Sequence, residues 1–151
     1  MKYILRKKGT AWNMVNGQGA ILARISKENH SWNIHQEDGR ITASLQINEK
    51  GMPRLTVGAS VMHTDIDFEK TAYAFLPDRP VRVSFSWMGQ PCTVSRTAPD
   101  AFFVSFHHLE FQVHFSLLRP AAVDCALPET EAAVAVMVIL YMYDEDDCPI
   151  V

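Results

Sequence analysis

Several features that mark specialised protein classes are missing from this sequence of 151 residues. Its three cysteines, Cys92, Cys125 and Cys148, are far apart and form no CxxC pair. This argues against a disulfide framework or a cysteine-based zinc site and indicates a reducing, cytoplasmic compartment. The net charge of -3 gives no general attraction to nucleic acid. No linker or low-complexity tract divides the chain, so we expect residues 1–151 to form a single domain.

The common motifs of nucleophilic, metal-dependent and nucleotide-dependent catalysis are also missing. The chain contains no GxSxG, no HExxH and no P-loop. Cys92 and Cys125 could carry a reactive thiol, but a buried, inert thiol is the commoner state of an isolated cysteine. We therefore expect a protein that is not an enzyme and that holds no cofactor or metal.

What the sequence does contain is one long apolar run, residues 132–143, whose only polar side-chain groups are two tyrosine hydroxyls. A membrane span needs about 20 apolar residues, so this run is too short to cross a bilayer. Its β-branched residues would suit a strand, but strands average only about 5–6 residues. Glu129 and Glu131 favour a helix start in front of the run. We predict a helix without a polar face, which other elements must enclose on every side.

Alternation of apolar and polar side chains dominates the rest of the chain and predicts antiparallel strands with one buried face. Asn16-Gly17 and Asp38-Gly39 predict type I′ hairpin turns, since both central positions of that turn need positive φ. The alternation is clearest in residues 40–47, 54–61, 81–87 and 109–117. Less regular strand candidates are residues 3–7, 11–15, 20–25, 31–35, 68–75, 92–96 and 101–106.

An enclosed helix and a long series of hairpins together favour one architecture. We predict a mainly β fold with one helix (α+β), in which a closed antiparallel β-barrel of about ten to twelve strands surrounds the buried C-terminal hydrophobic helix. Trp12, Trp32 and Trp87 are expected to fill the core or cap the barrel ends. A sandwich with the helix packed outside is the alternative, but it does not explain why the helix lacks a polar side.

Four segments of the chain follow a known pattern. They are residues 3–7, residues 12–27, the Asp38-Gly39 hairpin leading into residues 40–47, and the apolar run followed at once by Asp144. In these segments the chain resembles the tubby C-terminal-like superfamily, which includes tubby domains, phospholipid scramblases and LURP-one-related proteins. It is most similar to the compact bacterial members. The resemblance implies a barrel of roughly twelve strands around a central helix. Tubby domains bind phosphoinositide headgroups through Lys and Arg on the barrel wall, but no such cluster aligns here.

The candidate binding residues are Arg6, Lys7 and Lys8, which Arg24, Lys27 or Arg54 could join. Lys and Arg are the natural partners of phosphate, so this group could bind an anionic ligand. The alternative is that these cations serve only solubility on a solvated strand face.

Three other groups could hold a metal ion: His107-His108 with His114; His63, Asp65, Asp67 and Glu69; and the acidic tail, residues 144–147. The imidazoles of the first group suit transition metals, but adjacent residues of a strand point to opposite faces, so separate histidines are expected. The carboxylates of the other two groups could hold a hard cation such as calcium, but solvated acids are the ordinary interpretation of both.

From these features we expect a non-enzymatic cytoplasmic module that binds an anionic phospholipid headgroup, or another anionic ligand, on its outer wall. Because the helix fills the lumen, no internal ligand cavity is expected. One alternative is a protein-interaction or structural module that acts as a homo-oligomer. Another is a hydrolase-like enzyme with a site on the loops at residues 65–69 and 107–114.

Overall fold

The structure, a computed structural model, describes residues 2–36, 38–47, 53–69, 79–116 and 119–144. Within these ranges the chain forms thirteen strands and one helix, which confirms the predicted mainly β fold with a single helix. In chain order the elements are β1 (Lys2–Lys8), β2 (Ala11–Val15), β3 (Ile21–Glu28), β4 (Ser31–His35), β5 (Ile41–Ile47), β6 (Pro53–Val57), β7 (Ser60–Met62), β8 (Thr64–Glu69), β9 (Arg79–Trp87), β10 (Gln90–Ala98), β11 (Ala101–Phe106), β12 (Leu109–His114), β13 (Ala121–Asp124) and α1 (Glu129–Asp144).

The strands form two antiparallel sheets. The first sheet has the order β13-β1-β2-β3-β4-β5-β6-β7 and the second has the order β12-β11-β10-β9-β8. Most neighbours are consecutive hairpins, and β13 returns to pair with β1, where Tyr3 lies opposite Val123. Among the described residues neither sheet closes on itself, so the predicted closed barrel is not confirmed.

Helix α1 lies between the two sheets and contacts β3, β4 and β5 of the first and β9, β10 and β11 of the second. Every side chain from Ala132 to Met142 is buried. This enclosure explains why β-branched residues that suit a strand are helical here, because packing outweighs their modest helix propensity. Among the described residues no helix is long and apolar enough to cross a membrane. The predicted helix is confirmed, and the sandwich with an external helix is wrong.

Trp12, Trp32 and Trp87 are buried, as predicted. They belong to one apolar core that the helix shares with both sheets. At the C-terminal end of α1 the ring of Tyr143 stacks on Phe115 with centroids 4.1 Å apart, and Trp12 meets both rings edge-on. The tryptophans therefore stabilise the interior.

The predicted strand at residues 54–61 is wrong. Gly58 has a φ of 58° and donates its backbone N–H to the carbonyl oxygen of Thr42, so the chain turns there and divides into β6 and β7. In the sequence, apolar and polar residues continue to alternate across the turn. In the structure, however, the apolar residues Ala59 and Val61 are exposed. The described part of the chain also contains β13, which the sequence pattern did not indicate. The candidate strand at residues 68–75 lies largely outside the described residues.

The predicted type I′ turns are also wrong. In residues 16–20 the side chain of Asn16 accepts hydrogen bonds from the backbone N–H groups of Gln18 and Ala20, and Gly19 takes the positive φ. In residues 36–40 Gly39 has a positive φ but Asp38 does not. Consecutive positive φ values occur instead at Met88-Gly89 and His107-His108, where the sequence gives no Asn-Gly or Asp-Gly signal.

The loops at residues 16–20 and 36–40 belong to an internal repeat. Trp12-Asn13 recurs twenty positions later as Trp32-Asn33, and Gly19 recurs as Gly39. Each loop follows a register shift, between Met14 and Val15 in one copy and between Ile34 and His35 in the other. The repeat therefore places two similar hairpin ends side by side on the first sheet.

Candidate anion-binding site

The cations of β1 divide between the two faces of the first sheet. Tyr3 and Leu5 point into the core, so alternation places Arg6 and Lys8 on the outer wall. Lys7 points the other way, and its Nζ lies 5.7 Å from the centroid of the Trp12 ring. The predicted trio is therefore not one cluster, because consecutive residues of a strand cannot share a face.

Strand pairing brings Arg24 towards the outward cations of β1. Arg6 lies opposite Asn13 of β2, and Asn13 lies opposite Arg24 of β3. Adjacent strands are about 4.8 Å apart, so roughly 10 Å separates the backbones of Arg6 and Arg24. In the next row Lys8 lies opposite Ala11. The small side chains of Ala11 and Asn13 on β2 thus lie between the cations of β1 and Arg24 of β3.

A groove occupies this part of the outer wall, and we call it the wall groove. It encloses about 870 Å³. Among the described residues, neither Lys8 nor Arg24 forms an ion pair. Lys8 is therefore available to a ligand, whereas the charge of Arg24 also helps to lower the pKa of the Glu28 carboxyl. The groove is lined by Lys8, Ala11, Asn13, Gly19, Ala20, Ile21, Leu22, Ala23, Arg24, His35, Gln36 and Gly39.

His35 lines the same groove but is already engaged by a carboxylate. Its Nε2 lies 2.9 Å from Oε1 of Glu28, which also accepts a hydrogen bond of 3.0 Å from Ser26. The hydrogen bonds from Ser26 and His35 hold the pKa of the Glu28 carboxyl below its ordinary value of 4.5. Glu28 is therefore ionised at neutral pH, and it limits the contribution of His35 to anion binding. The serine contacts the carboxylate and not the imidazole, so the three residues do not form a catalytic triad.

No known family can be assigned to this chain. No family model, no curated protein and no solved structure matches it. The function proposed below therefore depends on the geometry of the wall groove.

The other cations that the sequence indicated lie elsewhere. Lys27 lies opposite Trp32, as Lys7 lies opposite Trp12 in the other copy of the repeat, and therefore not on the groove face. Arg54 is exposed on β6, three strands away from Arg24. Of the six candidates, the structure brings Lys8 and Arg24 into one groove and places Arg6 beside them.

The histidine cluster does not form. His107 and His108 make the tight turn between β11 and β12, and His114 lies at the far end of β12. His114 is five positions beyond Leu109 along the strand, so the turn and His114 are about 17 Å apart. The two adjacent histidines lie in a turn with positive φ, so the strand argument for separating their side chains does not apply to them. His114 instead pairs with Asp100, with 3.3 Å between Nε2 and Oδ2.

The acidic series at residues 63–69 is occupied by local partners. His63 Nε2 lies 3.3 Å from Oδ2 of Asp65, and Asp67 forms an ion pair with Arg82 of β9. The side chains of Glu69 and Asp144 and the rest of the acidic tail, residues 145–147, fall outside the described residues. Within the described ranges no three His, Cys, Asp or Glu side chains converge closely enough to hold a metal ion.

Cys92 and Cys125 are buried thiols. Cys92 lies within β10, in agreement with the strand candidate at residues 92–96, and Cys125 lies between β13 and α1. Burial raises the pKa of both thiols above the ordinary value of 9.0. Since the thiolate is the nucleophile, neither cysteine is suited to catalysis.

We expect the folded protein to lose stability as the pH rises above about 9. Burial raises the pKa of Cys92, Cys125 and Tyr3, whose ordinary values are 9.0, 9.0 and 10.0. Between the ordinary and the raised pKa the unfolded chain has lost protons that the folded chain keeps, so the free energy of unfolding falls. Urea denaturation at a series of alkaline pH values measures this slope. A Cys92→Ala, Cys125→Ala variant should show a shallower slope, and an equal slope in both proteins would contradict the argument.

Sequence reasoning named Lys8 and Arg24 but missed Ala11, Asn13 and His35, which also line the wall groove. Asn13 and Ala11 carry no charge, so nothing in the sequence marks them as part of a binding site. His35 joins them only through the pairing of β3 with β4. The alternation that predicted β1 could nevertheless have separated Lys7 from Arg6 and Lys8.

Proposed function

We propose that the chain is a non-enzymatic module that binds a phosphate-bearing anion in the wall groove. The observation that supports this function is the convergence of Lys8 and Arg24, two cations without ion-pair partners among the described residues, across the small side chains of β2. Arg and Lys form charge-assisted hydrogen bonds to phosphate oxygens, and the Asn13 amide can add a neutral one. Because Asn13 and Ala11 are small, an anion of the size of a headgroup has room between Lys8 and Arg24.

The proposal extends to the architecture and the family. We propose that the two sheets act as one wall around α1, in the manner of a tubby-like barrel. Three contacts support this: β12 lies beside β13, and at the other seam β6 contacts β8 and β7 contacts β9. Only His63 separates β7 from β8, so the chain passes directly from one sheet to the other. Cys92 is buried and forms no disulfide, which supports a reducing, cytoplasmic location.

A Lys8→Ala, Arg24→Ala variant tests the proposal. Each basic residue near an anionic bilayer contributes about 1 kcal/mol, so the double variant should bind anionic vesicles about thirtyfold more weakly. The measurement is cosedimentation with phosphatidylcholine vesicles that contain phosphatidylserine or a phosphoinositide. Binding of the unaltered protein should weaken from low to physiological salt, because salt screens exposed charges.

The matched control is a Lys7→Ala, Arg54→Ala variant. It removes the same net charge from positions outside the wall groove. If it loses as much affinity as the groove variant, the attraction depends on net charge and the groove is not a site. If the unaltered protein binds neither anionic vesicles nor inorganic phosphate, the proposed function is wrong, and the protein-interaction module is favoured.

A further inference from the structure

The internal repeat allows the wall groove to be compared with the corresponding place twenty residues later in the chain. Lys8 corresponds to Glu28, and Arg24 corresponds to Ser44. The copy that carries the groove therefore has two cations where the other copy has an acid and a hydroxyl group. This pair of cations is a property of one copy and not of the repeated hairpin.

The asparagine of the repeat has different surroundings in the two copies. Asn33 is buried, and its Oδ1 accepts hydrogen bonds of 3.1 and 2.7 Å from the hydroxyl groups of Ser31 and Ser44. Beside Asn13 these two positions are taken by Ala11 and by the cation of β3. Among the described residues no hydrogen bond engages the side chain of Asn13. Its amide therefore offers both an acceptor and two N–H donors to a ligand in the groove.

The groove also has an apolar end. Ile21 is 57% exposed, lines the groove, and lies three residues from Arg24 along β3, which corresponds to about 10 Å. Its counterpart in the repeat, Ile41, is 50% exposed and lies opposite His35. Ile41 is not among the described residues that line the groove. The wall thus carries two similarly exposed isoleucines, one inside the groove and one outside it.

These three groups match the parts of a phosphorylated peptide. A phosphoserine side chain carries a charge of about −1.5 to −2 at neutral pH, which suits two cations. The neighbouring peptide unit has one N–H and one C=O, which match the acceptor and the donors of the Asn13 amide. Three residues of extended chain span about 10 Å, so an apolar side chain three positions from the phosphoserine reaches Ile21.

Other phosphate-bearing ligands would use only part of the groove. Its volume is typical of sites for organic ligands, about 300–1,000 Å³, and inorganic phosphate has no apolar part to place against Ile21. A nucleotide base binds by stacking, but none of the described residues that line the groove is Phe, Tyr or Trp. A bilayer surface would cover Ile41 as well as Ile21. It would also bring anionic lipids against the ionised carboxylate of Glu28, which lies beside the groove on His35.

We propose that the wall groove binds a phosphorylated segment of a partner protein. Lys8 and Arg24 contact the phosphate, and Asn13 pairs with the peptide unit beside it. Ile21 contacts an apolar side chain about three positions along the segment. This inference rests on the proposed function and specifies the ligand that carries the phosphate.

The probe is a fluorescein-labelled alanine peptide with a central phosphoserine and a leucine three positions away on either side. Fluorescence anisotropy should show that it binds about a hundredfold more tightly than the same peptide with serine, because the charged hydrogen bonds need the phosphate. Ile21→Ser should weaken its binding about tenfold, because the leucine no longer removes apolar area from water. The same variant should bind a phosphopeptide without leucines as the unaltered protein does.

Ile41→Ser is the matched control for Ile21→Ser. It makes the same change at the corresponding position of the repeat, outside the groove. It should bind both phosphopeptides and phosphatidylserine vesicles with unchanged affinity. Equal losses of phosphopeptide affinity in the two variants overturn the inference.

Asn13→Ala tests the contact with the peptide unit. It should weaken binding of the phosphopeptide about tenfold and binding of inorganic phosphate by less than about threefold, because most of its hydrogen bonds go to the peptide. Since no described residue depends on a hydrogen bond from Asn13, the variant should keep the urea midpoint of the unaltered protein. Equal losses for both probes overturn the proposed role of Asn13 and the peptide ligand with it.

The remaining outcomes separate the inference from the proposed function. Binding of inorganic phosphate or of phosphatidylserine vesicles without tighter binding of the phosphopeptide overturns the inference and leaves the proposed function intact. Vesicle binding that Ile21→Ser and Ile41→Ser weaken alike shows that a membrane covers this wall, and also overturns the inference. The absence of binding to the phosphopeptide, to inorganic phosphate and to vesicles overturns both.

Discussion

Val136→Asp should abolish soluble folded protein. Val136 lies in the middle of α1, is fully buried, and has the two sheets on either side. A carboxylate there would lie in an apolar interior with no partner, which costs several kcal/mol even after relaxation. Domains of this size are stable by only about 5–15 kcal/mol, so one such group removes most or all of the stability. The soluble yield and the far-UV circular dichroism of the variant measure the effect.

The control introduces the same side chain into the same helix. Thr130 is exposed in the first turn of α1, where a negative charge interacts favourably with the helix dipole. Thr130→Asp should therefore fold with a urea midpoint close to that of the unaltered protein. If Val136→Asp has the same midpoint as Thr130→Asp, the helix is not enclosed and the arrangement of the two sheets around it is wrong.

The sequence allowed this helix to be predicted because its signal is local. A run without a polar side chain, preceded by Glu129 and Glu131, needs no knowledge of distant residues to be recognised as an enclosed helix. The strand Leu109–His114 was equally accessible, since its alternation is unbroken. The turn at Gly58 was not, because alternation continues through it and only the long-range hydrogen bond to Thr42 shows that the chain reverses.

The candidate site was accessible only in part. Arg6 and Lys8 are two positions apart on one strand, so alternation places them on the same face. Arg24 comes close to them only through the pairing of β1 with β2 and of β2 with β3. That pairing includes a register shift between Met14 and Val15, which no residue type in the following loop indicates. The exposure of Ile21 and Ile41, which lie at this shift and at the shift between Ile34 and His35, was not visible in the sequence either.

Arg96→Met should lower the free energy of unfolding by about 3 kcal/mol, because it removes a charged hydrogen bond, a favourable helix-dipole interaction and a cation–π contact together. Arg96 of β10 points toward the C-terminal end of α1. Its Nη2 donates to the backbone carbonyl of Met142 at 2.6 Å, and its guanidinium lies 5.0 Å from the centroid of Phe102. The last turn of α1 has no basic residue of its own, so the sheet supplies the positive charge that this helix end lacks. For a chain of this length the loss corresponds to a fall of about 10 °C in Tm.

Arg82→Met is the control for the role of Arg96 at the C-terminal end of α1. Arg82 pairs with Asp67 on the exposed surface of β9, where an ion pair contributes less than about 1 kcal/mol. Both changes remove one positive charge from a strand of the second sheet and introduce the same side chain, so net charge and strand propensity cannot explain a difference. Arg96→Lys should recover part of the loss, since an ammonium can still donate to the Met142 carbonyl but cannot cover the Phe102 ring as a planar guanidinium does. Equal stability of Arg96→Met and Arg82→Met would mean that the Met142 carbonyl is satisfied without Arg96, and that packing against Tyr143 and Phe115 holds this end of the helix in place.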